Sequence, residues 1–243
     1  MKVIIASISS NRNRLMSLAR RNGFDPVFVS ALKAVKLDIS SKLSEYYKYA
    51  PYSWAAFFSV TSVSLFFSYD VHELITGARI AAVGSGTADF LKRKGVKVDF
   101  IPSQYTTERL AEELPAQPGS RVLILRSRDG SSAAEEILKR RGIKPFRLDL
   151  YETSFVSGPI NQDKIRGARV IVFGSSREVA GFEKRLEASG ISEFKKNVAA
   201  ACIGPLTMDA AAKMGYKTLE LPKVYTYRSL FKLLSELRNE GRI

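Results

Sequence analysis

The chain has 243 residues, 45% apolar and 26% charged, enough to bury one large core or two smaller ones and too mixed in pattern for a disordered or fibrous protein. One cysteine, Cys202, and one histidine, His72, exclude an internal disulfide and a thiolate metal cluster and make histidine acid–base chemistry a poor reading; no metal is expected. The formal net charge of +14 is spread without a lysine or arginine block, which suits a field that draws anions better than a nucleic-acid-binding tail, so no nucleic-acid partner is expected.

In chain order, MKVIIASIS passes from one lysine into a β-branched run without the longer apolar stretch of a secretion signal, and reads as a first strand of a cytoplasmic protein. VSALKAVKLD, around residues 29–38, is extended. The nearly uncharged stretch from Trp54 to Tyr69 is interrupted by five serine and threonine residues and is too short for the ~18–20 apolar residues of a membrane span. AFF, IAAVG and VDFIP follow as strands, then RVLILRS, then a helix in SSAAEEILKRRG with Ser132 and Glu135 as a capping box and Gly142 past its end. FRLDLYETSF, around 146–155, is again extended. VIVFG leads into a helix over SSREVAGFEKRL, with Ser175 and Glu178 in the same capping relation, and AAACIG and LELP complete the strands. Cys202, inside VAAACIG, reads as a small core residue. Short apolar runs alternating with helical patterns predict an α/β fold, parallel sheets with helices on both faces.

The chain also repeats itself. AAVGSGTADFLKRKGVKVDFIPSQYTTERLAEEL, from Ala81, lies over ACIGPLTMDAAAKMGYKTLELPKVYTYRSLFKLL, from Ala201, without a gap, and eleven of 34 positions are identical. They include Gly84/Gly204, Thr87/Thr207, Asp89/Asp209, Pro102/Pro222, Tyr105/Tyr225 and Thr106/Thr226. Upstream, Val3, Gly23 and Pro26 match Val122, Gly142 and Pro145, and Phe57, Ser59 and Val63 match Phe173, Ser175 and Val179. A period of about 120 residues is a duplicated domain, since solenoid repeats run ~20–50. With the chain crossing at both extended segments, residues 1–35 plus 153–243 form a first α/β domain and 36–152 a second, joined by a two-stranded linker near 33–38 and 150–156. A simple division near residue 119 fits the sequence as well.

In open parallel sheets, ligands lie beyond the carboxyl ends of the strands, where the next helix offers unpaired N–H groups. Four such junctions carry small or hydroxyl residues: Ser59, Thr61 and Ser62; Gly84, Ser85, Gly86 and Thr87; Gly174, Ser175 and Ser176; and Gly204, Pro205, Leu206 and Thr207. Each reads as a carboxylate or phosphate cradle or, failing that, as a helix cap. The Gly84-Ser-Gly86 run is half of a dinucleotide fingerprint, but Asp89 holds the third glycine position, so no nicotinamide or flavin is expected.

In order and spacing, Phe58-Ser59 ahead of Val63, VGSGTADFLKRKG with Pro102 and YTTERL, VLILRS, Tyr151, VFGSS ahead of Val179, and IGPLTMDAAAKMG with YTYRSL resemble the uroporphyrinogen-III synthase family over essentially the whole chain. The resemblance implies two α/β domains joined by paired linkers, a site in the cleft between them, and no cofactor. It further implies a lyase that cyclises and dehydrates hydroxymethylbilane, a linear tetrapyrrole with eight carboxylates, inverting the last ring through a spiro intermediate, and a monomer. Tyr151 matches the family's linker tyrosine and is the candidate catalytic group. Thr87 and Thr207 match its helix-start threonines and, with Ser59, Ser62, Gly84, Ser85, Ser175, Ser176 and Gly204, are the candidate substrate-binding residues. Tyr105 and Tyr225 read as packing residues. The sequence departs from the family where Phe58 and Gly174 replace a frequent threonine, and where ASISS lacks an arginine and a proline. A non-catalytic two-domain protein that binds a small polyanion is the competing reading.

Overall fold

The computed structural model describes residues 1–243. Its strands are β1 (Lys2–Ile8), β2 (Asp25–Lys36), β3 (Trp54–Phe57), β4 (Arg79–Ala82), β5 (Arg121–Ser127), β6 (Lys144–Phe155), β7 (Val170–Phe173), β8 (Ala199–Cys202) and β9 (Lys217–Thr218). The helices are α1 (Arg12–Arg21), α2 (Leu43–Lys48), α3 (Val60–Phe66), α4 (Ser85–Arg93), α5 (Thr107–Glu113), α6 (Ala133–Arg140), α7 (Gln162–Ile165), α8 (Ser176–Ala188), α9 (Pro205–Lys213) and α10 (Tyr227–Asn239). No helix is long and apolar enough to cross a membrane.

The chain divides into two compact units, one of Met1–Ala34 with Ser154–Ile243 and one of Val35–Thr153. In the first, the strands run β2-β1-β7-β8-β9, all parallel, with Val3 opposite Pro26 on one side and Val170 on the other. Val3, Ile5, Val170, Val172 and Ala201 turn one face to α1 and α10, where Leu15, Ala19, Leu230, Phe231, Leu234 and Leu237 bury their side chains. Alternation sends Phe173 to the other face, where its ring meets Phe182 of α8 at 5.8 Å. Gly181 admits α8 close to the sheet, because a Cβ there would lie 2.5 Å from the Ala31 carbonyl oxygen.

In the second unit the order is β6-β5-β3-β4, again parallel, and Ala81 adds a bridge to Phe100 on the far side. Trp54, Ala56, Val122 and Ile124 pack against α5 and α6 through Leu110, Leu114, Ile137 and Leu138. Phe57 faces the other way, onto Phe66 of α3, with ring centroids 5.5 Å apart. Each fully buried ring of this kind contributes roughly 1.5–3 kcal/mol. Both sheets change winding direction once, between β1 and β7 in the first unit and between β5 and β3 in the second, and such a switch is where doubly wound sheets open a crevice at their carboxyl ends.

Several local expectations are corrected. VDFIP is not a full strand, since only Phe100 pairs, and the last strand is Lys217–Thr218 instead of LELP. The capping box at Ser132 does not form: Glu135 is drawn to Arg147, at 3.0 Å, and the Ser132 hydroxyl bonds Glu136. At Ser175 only half the box forms, because the Glu178 carboxylate turns to other donors. A complete box appears instead at Ser59 and Ser62, where the first serine accepts from the Ser62 N–H at 2.9 Å and the second accepts from the Ser59 N–H at 3.2 Å. Cys202 is fully buried and its thiol is pushed up to about 12 by that burial, as a core residue requires.

Candidate functional site

In the second unit β3 ends at Phe57, and the next residues turn sharply into α3. Ser59 is the N-cap, and its Oγ lies 3.0 Å from the Tyr151 hydroxyl. Tyr151 comes from the second half of β6, where the register against β5 slips by one residue between Arg126 and Ser127. Tyr69 fixes the backbone just before it, its hydroxyl 2.6 Å from the Leu37 carbonyl oxygen and 2.5 Å from that of Leu150. Tyr151 is only 6% exposed. Burial raises its pKa above the ordinary phenol value, while hydrogen bonds from Ser59 and Thr61 and the charge of Arg126 oppose the rise. The phenol therefore stays protonated through the neutral range and has groups beside it that would steady the phenolate.

At the end of β4, Gly84 caps α4 in an extended conformation with no side-chain bond, leaving the amides of Ser85 and Gly86 at the helix start. Thr87 is buried in that first turn, its N–H directed to the Gly84 carbonyl oxygen at 3.1 Å. The Tyr105 ring rests on the Gly84 Cα, so closely that a Cβ would meet it at 2.8 to 3.1 Å. That contact accounts for the pair of Gly84 and Tyr105 in packing terms. Gly204, Pro205 and Thr207 at the start of α9 repeat the corner in the first unit, with Pro205 in the first turn, where a missing N–H leaves no intrahelical bond unmade. Here Tyr225 stands farther off, 3.7 Å from the same imagined atom, and Leu206 is 79% exposed.

The fourth junction differs most. Behind Gly174 and Ser175, Glu178 is buried at the switch between β1 and β7, where it accepts from the Ser7 hydroxyl at 2.6 Å, the Gly174 N–H at 2.7 Å and the Ile8 N–H at 3.1 Å. Burial raises its pKa, against the pull of those donors. An internal carboxylate thus already uses amides that an incoming anion would seek. Ser176 donates to the Leu206 carbonyl oxygen at 2.9 Å, which ties the starts of α8 and α9 together. The second unit accordingly brings Ser59, Ser62 and Tyr151 together, and Gly84, Ser85 and Thr87 form a separate corner. In the first unit Ser175 and Ser176 lie beside the α9 corner of Gly204 and Thr207.

The sequence marked Glu178 only as a helix-capping partner and did not single out Tyr227 or Arg126. Tyr227, on α10, has its hydroxyl 3.4 Å from Ser7 and 3.5 Å from Glu178. Arg126 ends β5 and lies under the Phe58 ring, 4.7 Å from its centroid. A charged residue closing the apolar run VLIL was the available signal for Arg126; nothing local marks Tyr227. No group of three or more histidine, cysteine, aspartate or glutamate side chains is placed to hold a metal ion.

A family model described as uroporphyrinogen-III synthase HemD matches residues 13–232. The chain belongs to the uroporphyrinogen-III synthase family. Membership puts it among enzymes of porphyrin biosynthesis that act on a small-molecule substrate. It is 26% identical to a putative uroporphyrinogen-III synthase of Methanocaldococcus jannaschii over 98% of this chain and 99% of that protein. It is also 26% identical to a porphyrin biosynthesis protein HemD of Ruminiclostridium josui over 96% of this chain, which spans about half (48%) of that relative's length. Among solved structures, the uroporphyrinogen-III synthetase of Helicobacter pylori aligns with a TM-score of 0.62 and 18% identity, over 98% of this chain and all of that one. A uroporphyrinogen III synthase of Thermus thermophilus aligns at 0.59 and 18%, over 99% of both chains. At such identity these two neighbours establish the α/β fold with parallel strands.

Proposed function

We propose that the protein is a cyclising hydro-lyase that converts hydroxymethylbilane to uroporphyrinogen III, and that Tyr151 delivers the proton on which the leaving hydroxyl departs. The lone pair of the terminal pyrrole nitrogen pushes out the hydroxyl. As the C–O bond breaks, the oxygen keeps its electron pair and takes the Tyr151 proton, leaving as water and an electron-deficient methylene on the pyrrole. The last pyrrole attacks that carbon through its substituted position, giving a spiro intermediate; the bond from the spiro carbon to the methylene of the preceding ring then breaks, and that methylene rejoins the last ring at its free α-carbon, which inverts the ring. The proton lost from that carbon as the last pyrrole regains its aromaticity returns to the phenolate. Because the pyrrole itself drives the departure, a phenol is acid enough.

Positioning is the harder task, since a flexible octa-anion must be held in the geometry that favours inverted closure. The corners at Gly84, Ser85 and Thr87 and at Gly204 and Thr207 suit carboxylates, with helix-start amides left open by glycine caps, and Ser59, Ser62, Ser175 and Ser176 add hydroxyls. The observation that carries the reading is the buried phenol of Tyr151 held 3.0 Å from Ser59 at the carboxyl end of the second sheet. Incubation with freshly prepared bilane, followed by oxidation and identification of the porphyrin isomer, tests it. The inverted isomer is expected from the wild type, and Tyr151→Phe should lower kcat by about 10- to 1,000-fold, at or below the lower half of the ~100- to 10,000-fold range for a lost proton donor, with an unchanged melting temperature. Accumulation of only the non-inverted isomer, at the rate seen without protein, would remove the proposal.

A further inference from the structure

Two arginines stand on neighbouring strands of the second unit, and their surroundings are opposite. Arg147 of β6 is fully served: its guanidinium donates to Asp149 at 2.7 Å, to Glu135 at 3.0 Å, and to the carbonyl oxygens of Ser127 at 3.1 Å and Arg128 at 2.8 Å. Arg126 of β5 has a side chain 7% exposed, yet its Nε and Nη1 have no hydrogen-bond partner. Glu135 Oε2 forms an ion pair with it, 3.6 Å from Nη1, and is itself without a hydrogen bond. Leaving a buried charged donor unmatched is among the most costly defects a native fold carries, and it calls for a missing partner.

The place of Arg126 says what that partner is. It closes β5 at the switch between β5 and β3, beside Phe58, one residue before the Ser59 that holds the Tyr151 hydroxyl. Phe58 covers one side of the guanidinium, and the Gly130 Cα backs it so closely that a Cβ would fall 2.2 to 2.5 Å from its atoms. With the Phe58 ring and the Gly130 Cα both against it the guanidinium has little room to move, and its donors match a carboxylate. Resting on the cyclase reading above, we infer that Arg126 is a substrate-binding residue that takes one carboxylate of the tetrapyrrole next to Tyr151. Glu135, held at 3.6 Å, keeps the guanidinium neutralised between ligands without satisfying it.

The test measures binding directly, by quenching of the fluorescence of uroporphyrin III, the oxidised octacarboxylate macrocycle, alongside KM and kcat with fresh bilane and the melting temperature. Arg126→Gln should raise the porphyrin Kd and the bilane KM by about 10- to 100-fold, as expected for losing a charged hydrogen-bonding pair, with kcat changed far less. Gly130→Ala keeps the charge but puts a methyl where the guanidinium lies, so the guanidinium must shift; binding should weaken several-fold, and the melting temperature reads the stability lost with it. Should Arg126→Gln fail to fold, the paired change Arg126→Gln with Glu135→Gln removes both buried charges and is held to the same binding result. Wild-type Kd and KM in folded variants overturn the inference while a wild type that forms the inverted isomer leaves the cyclase standing. A wild type that neither cyclises the bilane nor binds the porphyrin overturns both.

Discussion

The two units solve the same topological position with opposite chemistry. At the switch of the second, between β5 and β3, lie a buried cation with two nitrogens lacking hydrogen-bond partners, two serines and a protonated phenol. At the switch of the first, between β1 and β7, lies the Glu178 carboxylate, already accepting from Ser7, Gly174 and Ile8. Ser62 and Glu178 occupy equivalent places, each the third residue of its helix, and the match of Val3 with Val122 sets Ser7 of the first unit against Arg126 of the second, so exchanges at two places separate a switch with a buried cation from one with a buried carboxyl. The corners at Gly84 and Gly204, by contrast, kept glycine, threonine and tyrosine in both copies. What the halves share is a glycine-capped helix start; what differs is the charge at the switch.

That contrast is most sharply tested by removing the two equivalent residues. Glu178→Ala strands three buried donors and should destabilise the protein by about 3–5 kcal/mol, whereas Ser62→Ala loses one reciprocal cap and should cost about 0.5–2 kcal/mol. Urea denaturation reads both, and equal losses would mean that Glu178 is only another cap. Next in size is the difference between the conserved corners. Gly84→Ala forces a methyl into the Tyr105 ring and should cost about 1–3 kcal/mol, while Gly204→Ala, with only ordinary contact at 3.7 Å, should stay within about 0.5 kcal/mol. Both glycines are in extended conformation, so ring contact and not backbone conformation decides the outcome.

The smallest effect is on pH dependence. Burial raises the Glu178 pKa, so the folded chain keeps a proton that the unfolded chain has released once pH exceeds the ordinary glutamate range. The folded state binds more protons there, and this group's contribution makes stability fall as pH rises from about 4.5 toward the raised value. Glu178→Gln should flatten that component, seen as a difference in the slope of urea midpoints against pH between variant and wild type. A parallel pair of curves would show that the buried carboxyl is ionised throughout.

The layout of strands was legible because apolar runs, glycine ends and a 120-residue echo are local or periodic signals. The echo also located the Gly84 and Gly204 corners and explained nothing of their tightness, since the approach of Tyr105 depends on how a loop twenty residues later folds back. The capping boxes misled for a related reason. At Ser132 and Ser175 the sequence offers glutamate three residues on, but in both cases a partner from a distant strand, Arg147 for one and Ser7 with Ile8 for the other, outcompeted the local bond. Arg126 was hidden in plain view within VLILRS, because a residue's lack of partners is a property of the folded surroundings and has no signature in the chain.

Ring against bare Cα at Gly84 also bears on how this chain can change over generations. Neither member of that couple is free to vary first: a side chain gained at Gly84 collides before Tyr105 has been trimmed, and a trimmed Tyr105 leaves a void before Gly84 has grown. The looser twin at Gly204 has no such interlock. Drift and laboratory evolution should therefore reshape the Gly204 corner of the first unit by single steps, while its counterpart in the second stays put until two codons move at once.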